Sequence, residues 1–132
     1  MTSERIFFNF PVTADSHTLK AYQGRGGYQA LENALKTLQP IDVEKEVTTS
    51  GLRGRGGAGF PTGSKWSLVN RKAPVVYLCC NTDEGEPGTF KDRDILRHNS
   101  HQLIEGMILA SYALIVRNSF IYMRSEFDLS FR

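Results

Sequence analysis

The chain has 132 residues, 40% of them hydrophobic and 23% charged, with a formal net charge of +2. Those values fit one soluble globular domain with a real core and exclude a disordered polymer. The small net charge gives no global argument for nucleic acid. The longest apolar stretch, Met107 to Val116, is about half of the roughly 20 residues that cross a bilayer.

The N-terminus is interrupted by Glu4, Asn9, Pro11 and Asp15 and has the layout of neither a secretory signal nor a transit peptide. A protein in the cytosol, or attached to a membrane complex from the cytosolic side, is expected. Residues 1–18 carry no period and are expected to form an extended arm. Tyr28, Leu31, Ala34, Leu35 and Leu38 recur at helical spacing, with Gly26–Gly27 before them and Pro40 after. A second short helix follows, with Asp42 as its expected N-cap and Ser50–Gly51 as its stop.

Residues 53–66 then read Arg-Gly-Arg-Gly-Gly-Ala-Gly-Phe-Pro-Thr-Gly-Ser-Lys-Trp. A segment so poor in β-carbons lets backbone N–H groups approach a ligand closely. Thr62 is expected to cap a helix reaching about Val69, with Lys65 in its first turn, where an anion is favoured. Lys65 adds a point charge, and Phe60 or Trp66 offers a flat face for a ring. Gly54-x-Gly56-x-x-Gly59 spells the dinucleotide fingerprint, but it follows a helix where that fingerprint follows a strand. A Walker loop fails because Ser64 separates Gly63 from Lys65. The Arg-Gly-Gly pieces at 25–27 and 55–57 lack the repetition of an RNA-binding RGG box.

Pro74 ends the lysine-bearing segment, and Val75 to Cys80 is a continuous apolar run of the kind that forms a strand buried on both faces of a parallel sheet. Cys79 and Cys80, the only cysteines, are expected to be small buried core residues; as neighbours on a strand they point to opposite faces and suit no disulfide. A polar loop from Asn81 to Asp94 follows. It places Asn81, Asp83, Glu84 and Glu86 at the strand's carboxyl end, the edge where open α/β sheets bind ligands. Its carboxylates and amide suit ribityl or ribose hydroxyls and ring N–H groups.

A long helix from about Ser100 to Val116 and a strand at 120–124 complete one βαβ unit. Two parallel strands cannot cover their own faces and edges, so an incomplete domain is expected. His98, His101 and Glu105 sit at i, i+3 and i+7 on one expected helical face, but lack a fourth ligand for zinc, so a solvated helix start is expected there and no metal site.

The strings from Ser50 to Trp66 and from Cys80 to Arg93 closely resemble the flavin-bearing, F-type subunit of NADH-quinone oxidoreductase, the respiratory complex I. Gly26-Gly27-Tyr28 and Glu105-Gly106-Met107 resemble it too, and the likeness runs from about Leu19 to Arg124. Flavin subunits of NAD-linked hydrogenases and formate dehydrogenases share the same strings. The resemblance implies FMN and NAD(H), with hydride transfer from the nicotinamide to the flavin and onward single-electron transfer to iron–sulfur clusters and quinone. It places Gly54, Arg55, Gly56, Gly57, Ala58, Gly59, Phe60, Lys65, Asn81, Asp83 and Glu84 around the cofactors, with Phe60 and Glu86 toward the nicotinamide nucleotide and Glu86 in the catalytic role.

The implied fold is α/β: an incomplete FMN-binding three-layer domain with N-terminal helices, a glycine-rich loop and one βαβ unit. Residues 19–132 would form the N-terminal part of that domain. The family's later ubiquitin-like domain and the four cysteines of its 4Fe–4S cluster have no counterpart in the sequence, so a truncated chain, inactive alone, is expected. The implied partners are other peripheral-arm subunits, notably the thioredoxin-like 2Fe–2S subunit, on the cytoplasmic side of a bacterial inner membrane, with no nucleic acid and no membrane span. A non-catalytic nucleotide-binding module is the alternative of a different class.

Overall fold

The computed structural model describes residues 6–127. Residues 6–18 run as turns and irregular backbone and are followed by α1 (Leu19–Gly24), which the periodicity did not announce. Its signal is local: the Thr18 hydroxyl oxygen accepts from the Ala21 N–H at 3.2 Å and caps the first turn. The chain then reverses through Gly26 (φ +86°), Gly27 and Tyr28 (φ +66°) into α2 (Gln29–Thr37). A Cβ on Gly27 would collide with the Tyr22 ring, so close approach of backbone to an aromatic demands glycine there.

The next helix, α3 (Pro40–Thr49), starts earlier than an Asp42 cap would place it. Pro40 occupies the first helical position, where its fixed φ suits the helix, and Gln39 is the N-cap. Asp42 stands three residues on, and its carboxylate accepts the Gln39 N–H at 3.1 Å in a capping box. The short α4 (Thr62–Ser67) begins after an N-cap at Pro61, so Thr62 is its first residue and makes no side-chain cap. It packs tightly on α3: a Cβ on Gly63 would lie 2.7 Å from the Thr48 Cα.

Two strands follow, β1 (Tyr77–Thr82) and β2 (Asn118–Met123), parallel and in register from Tyr77↔Asn118 to Thr82↔Met123. The crossover holds two helices where one was expected, α5 (Lys91–His98) and α6 (Ser100–Leu114). They break at Asn99 (φ −145°, ψ 36°), a buried residue whose amide donates to the Phe7 carbonyl at 2.8 Å. The loop expected through Asp94 therefore ends at Phe90.

The core gathers Ala34, Val43 and Ala113 from three helices, with Leu38, Trp66, Leu109 and Tyr112 packed against them. Glu44 and Arg71 form an ion pair beside it. Beta-strand alternation turns Leu78 and Cys80 toward an apolar cavity of about 600 Å³ that α6 residues Leu103, Met107 and Ala110 also line. The opposite row is open: Tyr77 is 62% exposed, and Cys79 is exposed with it. The expectation of a strand buried on both faces, with two buried cysteines, is thus corrected. Among the described residues the sheet has two strands, and α6 is the helix that packs on β1.

Candidate functional site

The glycine loop is a closed finger between α3 and α4. Arg53 and Pro61 form an antiparallel bridge, the Gly54 N–H donates to the Phe60 carbonyl at 2.9 Å, and the Thr62 N–H donates to the Leu52 carbonyl at 2.8 Å. The Arg53 guanidinium donates to the Gly59 carbonyl at 3.0 Å and ties the base of the finger. Gly57 (φ +120°) and Gly59 (φ +62°) take conformations that a side chain would strain. Gly56 is different. Its φ is not positive, and a Cβ placed on it meets no atom within 4 Å.

The finger faces the carboxyl end of β1 across a cavity of about 670 Å³. Gly54, Arg55, Gly56 and Gly57 line one wall, Lys65 reaches in from α4, and Asn81, Asp83, Glu84 and Glu86 line the other. Nine of the twelve expected site residues therefore meet at one place; Ala58, Gly59 and Phe60 are not on its wall. The Phe60 ring is 51% exposed, because the Gly54–Phe60 pairing carries it out past the base of the finger. Trp66, the other candidate for ring stacking, packs against the helical core instead. Its neighbour Lys65, about 100° away round the helix, lines the cavity.

Asn81, Asp83 and Glu84 at the strand end each have a local task that the sequence did not reveal. The Asn81 Oδ1 accepts the Asp83 N–H at 2.9 Å, an Asx-type turn that stops the strand and leaves the Asn81 N–H₂ free of that bond. Glu84 is 6% exposed, and its Oε1 accepts the Asp92 N–H at 2.9 Å, which caps α5 from outside the helix. Its Oε2 is buried without a hydrogen-bond partner. Lys91 donates to Asp92 at 2.7 Å, and Arg124 stands 3.7 Å from Asp83. Among the described residues Arg55, Lys65 and Glu86 make no ion pair. Two cations at the glycine wall thus face two carboxylates without an ion pair at the strand wall, Glu86 and the buried Glu84.

Cys79, Thr89, Lys91 and Asp92 also line the cavity and were not foreseen. Period-2 alternation carries the signal for Cys79, which shares a strand face with Asn81. Lys91 and Asp92 were hidden because α5 read as loop. The expected His98, His101 and Glu105 face does not exist: the break at Asn99 puts His98 on α5 and the other two on α6. His101 Nδ1 pairs with the Tyr28 hydroxyl at 2.8 Å, and Glu105 is buried, so neither belongs to a solvated helix start. Among the described residues no three His, Cys, Asp or Glu side chains are grouped to hold a metal ion. No helix among them is long and apolar enough to cross a membrane.

Residues 47–132 match the family described as the Nuo51 FMN-binding domain. The chain belongs to that family. Its finger, α4 and the whole strand-end wall lie inside the matched segment. An F-type subunit of NADH-quinone oxidoreductase in Rhizobium meliloti is 50% identical over 119 residues, 89% of this chain and 28% of its own length. The F-type subunit of Aquifex aeolicus is 48% identical over 115 residues, 87% of this chain and 27% of its own. The crystal structure of an NAD+-reducing NiFe hydrogenase in its H2-reduced state superposes with a TM-score of 0.70 at 37% identity, over 99% of this chain and 22% of that one. The chain therefore spans little more than a quarter of the length of these F-type relatives.

The residues present fit an FMN-type ligand. Gly56 is required by neither backbone nor neighbour, the cations Arg55 and Lys65 suit a phosphate, and the orphaned Glu84 oxygen awaits a donor.

Proposed function

We propose that this chain builds the phosphate-binding and flavin-facing wall of the NADH-oxidising subunit of NADH-quinone oxidoreductase. The carrying observation is the cavity in which glycine amides, Arg55 and Lys65 oppose Asn81, Glu84 and Glu86. Arg55, Lys65 and the finger amides hold the phosphate, because a dianion gains most where cations and N–H dipoles converge. Asn81 and Glu84 orient the polar edge of the ligand with the donor and the acceptor that the fold leaves unused. Glu86 faces the nicotinamide nucleotide and keeps a negative charge beside it, which weakens the hold on an anionic ligand. Bound FMN supplies the two-electron acceptor chemistry for NADH oxidation.

On this proposal residues 19–132 are the N-terminal part of the FMN and NADH domain, and residues 1–18, of which 1–5 lie outside the described residues, a separate arm. The protein docks on other peripheral-arm subunits, including the thioredoxin-like one that carries a 2Fe–2S cluster, on the cytoplasmic face of the membrane. Support comes from the match to F-type subunits along most of the chain.

Titration of the purified chain into FMN tests the site. Quenching of flavin fluorescence is expected, with no bleaching on addition of NADH if the chain is inactive alone; no quenching at millimolar chain overturns the assignment for this chain. Gly56→Ala separates ligand from fold. It is expected to leave stability within about 0.5 kcal/mol, since its Cβ meets no atom within 4 Å, while FMN affinity falls about tenfold. An unchanged affinity would remove the finger from the site.

A further inference from the structure

We infer that the four-residue turn after β2 is a clasp that fixes the position and charge of the acidic loop, with Arg124 as its positioning residue. Arg124 follows directly on β2, beside the end of β1 to which the acidic loop is attached. Its three guanidinium nitrogens are all engaged. Nη1 donates to the Glu84 carbonyl at 2.8 Å, and Nε and Nη2 donate to Glu126 at 3.3 and 3.0 Å, while Nε lies 3.7 Å from the Asp83 carboxylate. Glu126, from the same turn, holds the fork in plane. A Cβ on Gly85 would sit 3.7 Å from Nη1, so the guanidinium lies directly over the loop backbone.

The same turn also grips the other end of the loop. The Phe127 N–H donates to the Arg124 carbonyl at 3.1 Å, and this closure tucks Phe127 in to 5% exposure. Arg93, in the first turn of α5, stacks its guanidinium over the Phe127 ring at 5.7 Å. Residues 83–90 are thus fastened at their start by Arg124, and the helix that follows them is met in its first turn by Phe127. Neither residue lines the cavity, so both act through the loop they hold.

The consequence is electrostatic as well as geometric. Arg124 offsets the Asp83 charge and Lys91 that of Asp92, leaving Glu84 and Glu86 as the wall's acids without an ion pair among the described residues. Without the guanidinium, Asp83 adds a further uncompensated charge beside a site for an anionic ligand. Lysine cannot substitute, because a single ammonium cannot reach a carbonyl and a carboxylate fork together.

The ligand arm of the test rests on the proposed FMN site, so it is paired with one that needs no ligand. In the full chain without flavin, Arg124→Gln is expected to speed amide exchange at residues 83–86 about tenfold. Tyr28 and Leu31, whose amides bond to Glu105, should stay unchanged. Arg124→Lys is expected to recover less than half of the protection, and Glu126→Gln to speed the same amides about threefold. These two milder variants decide the matter if Arg124→Gln fails to fold. In the flavin arm the FMN dissociation constant rises about tenfold in Arg124→Gln, and the gap to the parent narrows at high salt, as screening of Asp83 requires. Unchanged exchange at residues 83–86 in all three variants overturns the clasp. Faster exchange in the variants of a parent that does not bind FMN keeps the clasp and overturns the proposed function instead.

Discussion

Glu105 and Glu84 are two buried carboxylates, 7% and 6% exposed, and each caps a helix from another element. Glu105 reaches from α6 to the start of α2, whose own N-cap Tyr28 supplies no side-chain bond. Its oxygens accept the Tyr28 N–H at 3.0 Å, the Leu31 N–H at 3.1 Å and the Tyr22 hydroxyl at 2.5 Å. The hub continues through the Tyr28 hydroxyl to His101, and Tyr22 and Tyr28 meet edge to face at 5.2 Å. Glu84 caps α5 with one oxygen and leaves the other without a partner. The same chemistry thus serves two ends. Where both oxygens are bonded to the chain, the carboxylate holds the fold; where one oxygen is left over in a cavity wall, it is open to a ligand.

That contrast can be broken most sharply at the hub. Glu105→Ala leaves three donors without their acceptor and is expected to cost about 3 kcal/mol or more, read by urea denaturation. A loss under about 1 kcal/mol would show that water replaces the carboxylate and that the hub does not hold α2.

Glu84→Gln tests the other half. It keeps an acceptor for the Asp92 N–H, so a loss of about 1 kcal/mol or less is expected, while FMN binding weakens several-fold. A larger loss of stability without a change in binding would move Glu84 into the same class as Glu105.

The smallest effect lies in the alkaline range. Burial, followed by the hydrogen bond to Glu105, raises the Tyr22 phenol above its ordinary value. A group with a raised folded-state pKa contributes stability that is full below the unfolded value and is lost as pH rises toward the folded one. Stability should therefore decline above about pH 10, the ordinary phenol value. Tyr22→Phe should flatten that decline and cost about 1 kcal/mol at neutral pH. A decline of the same slope in Tyr22→Phe would assign it to the other tyrosines.

Much of this was legible in the residues, and the gaps have physical causes. The period of Tyr28 to Leu38 and the apolar run before Asn81 located α2 and β1 within two residues, because periodicity and burial are written locally. The polar face of α5, with none of its residues buried, hid that helix as a loop. Cys79 was misplaced because the apolar run alone cannot say how many faces of a strand are covered. The placement of Trp66 on the helical core and of Phe60 off the cavity wall was not legible, because backbone geometry, not composition, decides where an aromatic side chain points.

The residues alone carried the chemistry: the glycine finger, its two cations, the carboxylates after β1 and the family they mark. Glycine's missing Cβ and the charges of Arg, Lys, Asp and Glu are properties of the residues wherever they stand. Which carboxylate is spent and which is free was settled only when the chain folded. A hydrogen bond needs a partner from a distant segment, and Tyr22 lies 83 residues from Glu105. Arg124 likewise lies 40 residues from Glu84 and reaches it only because two parallel strands end side by side.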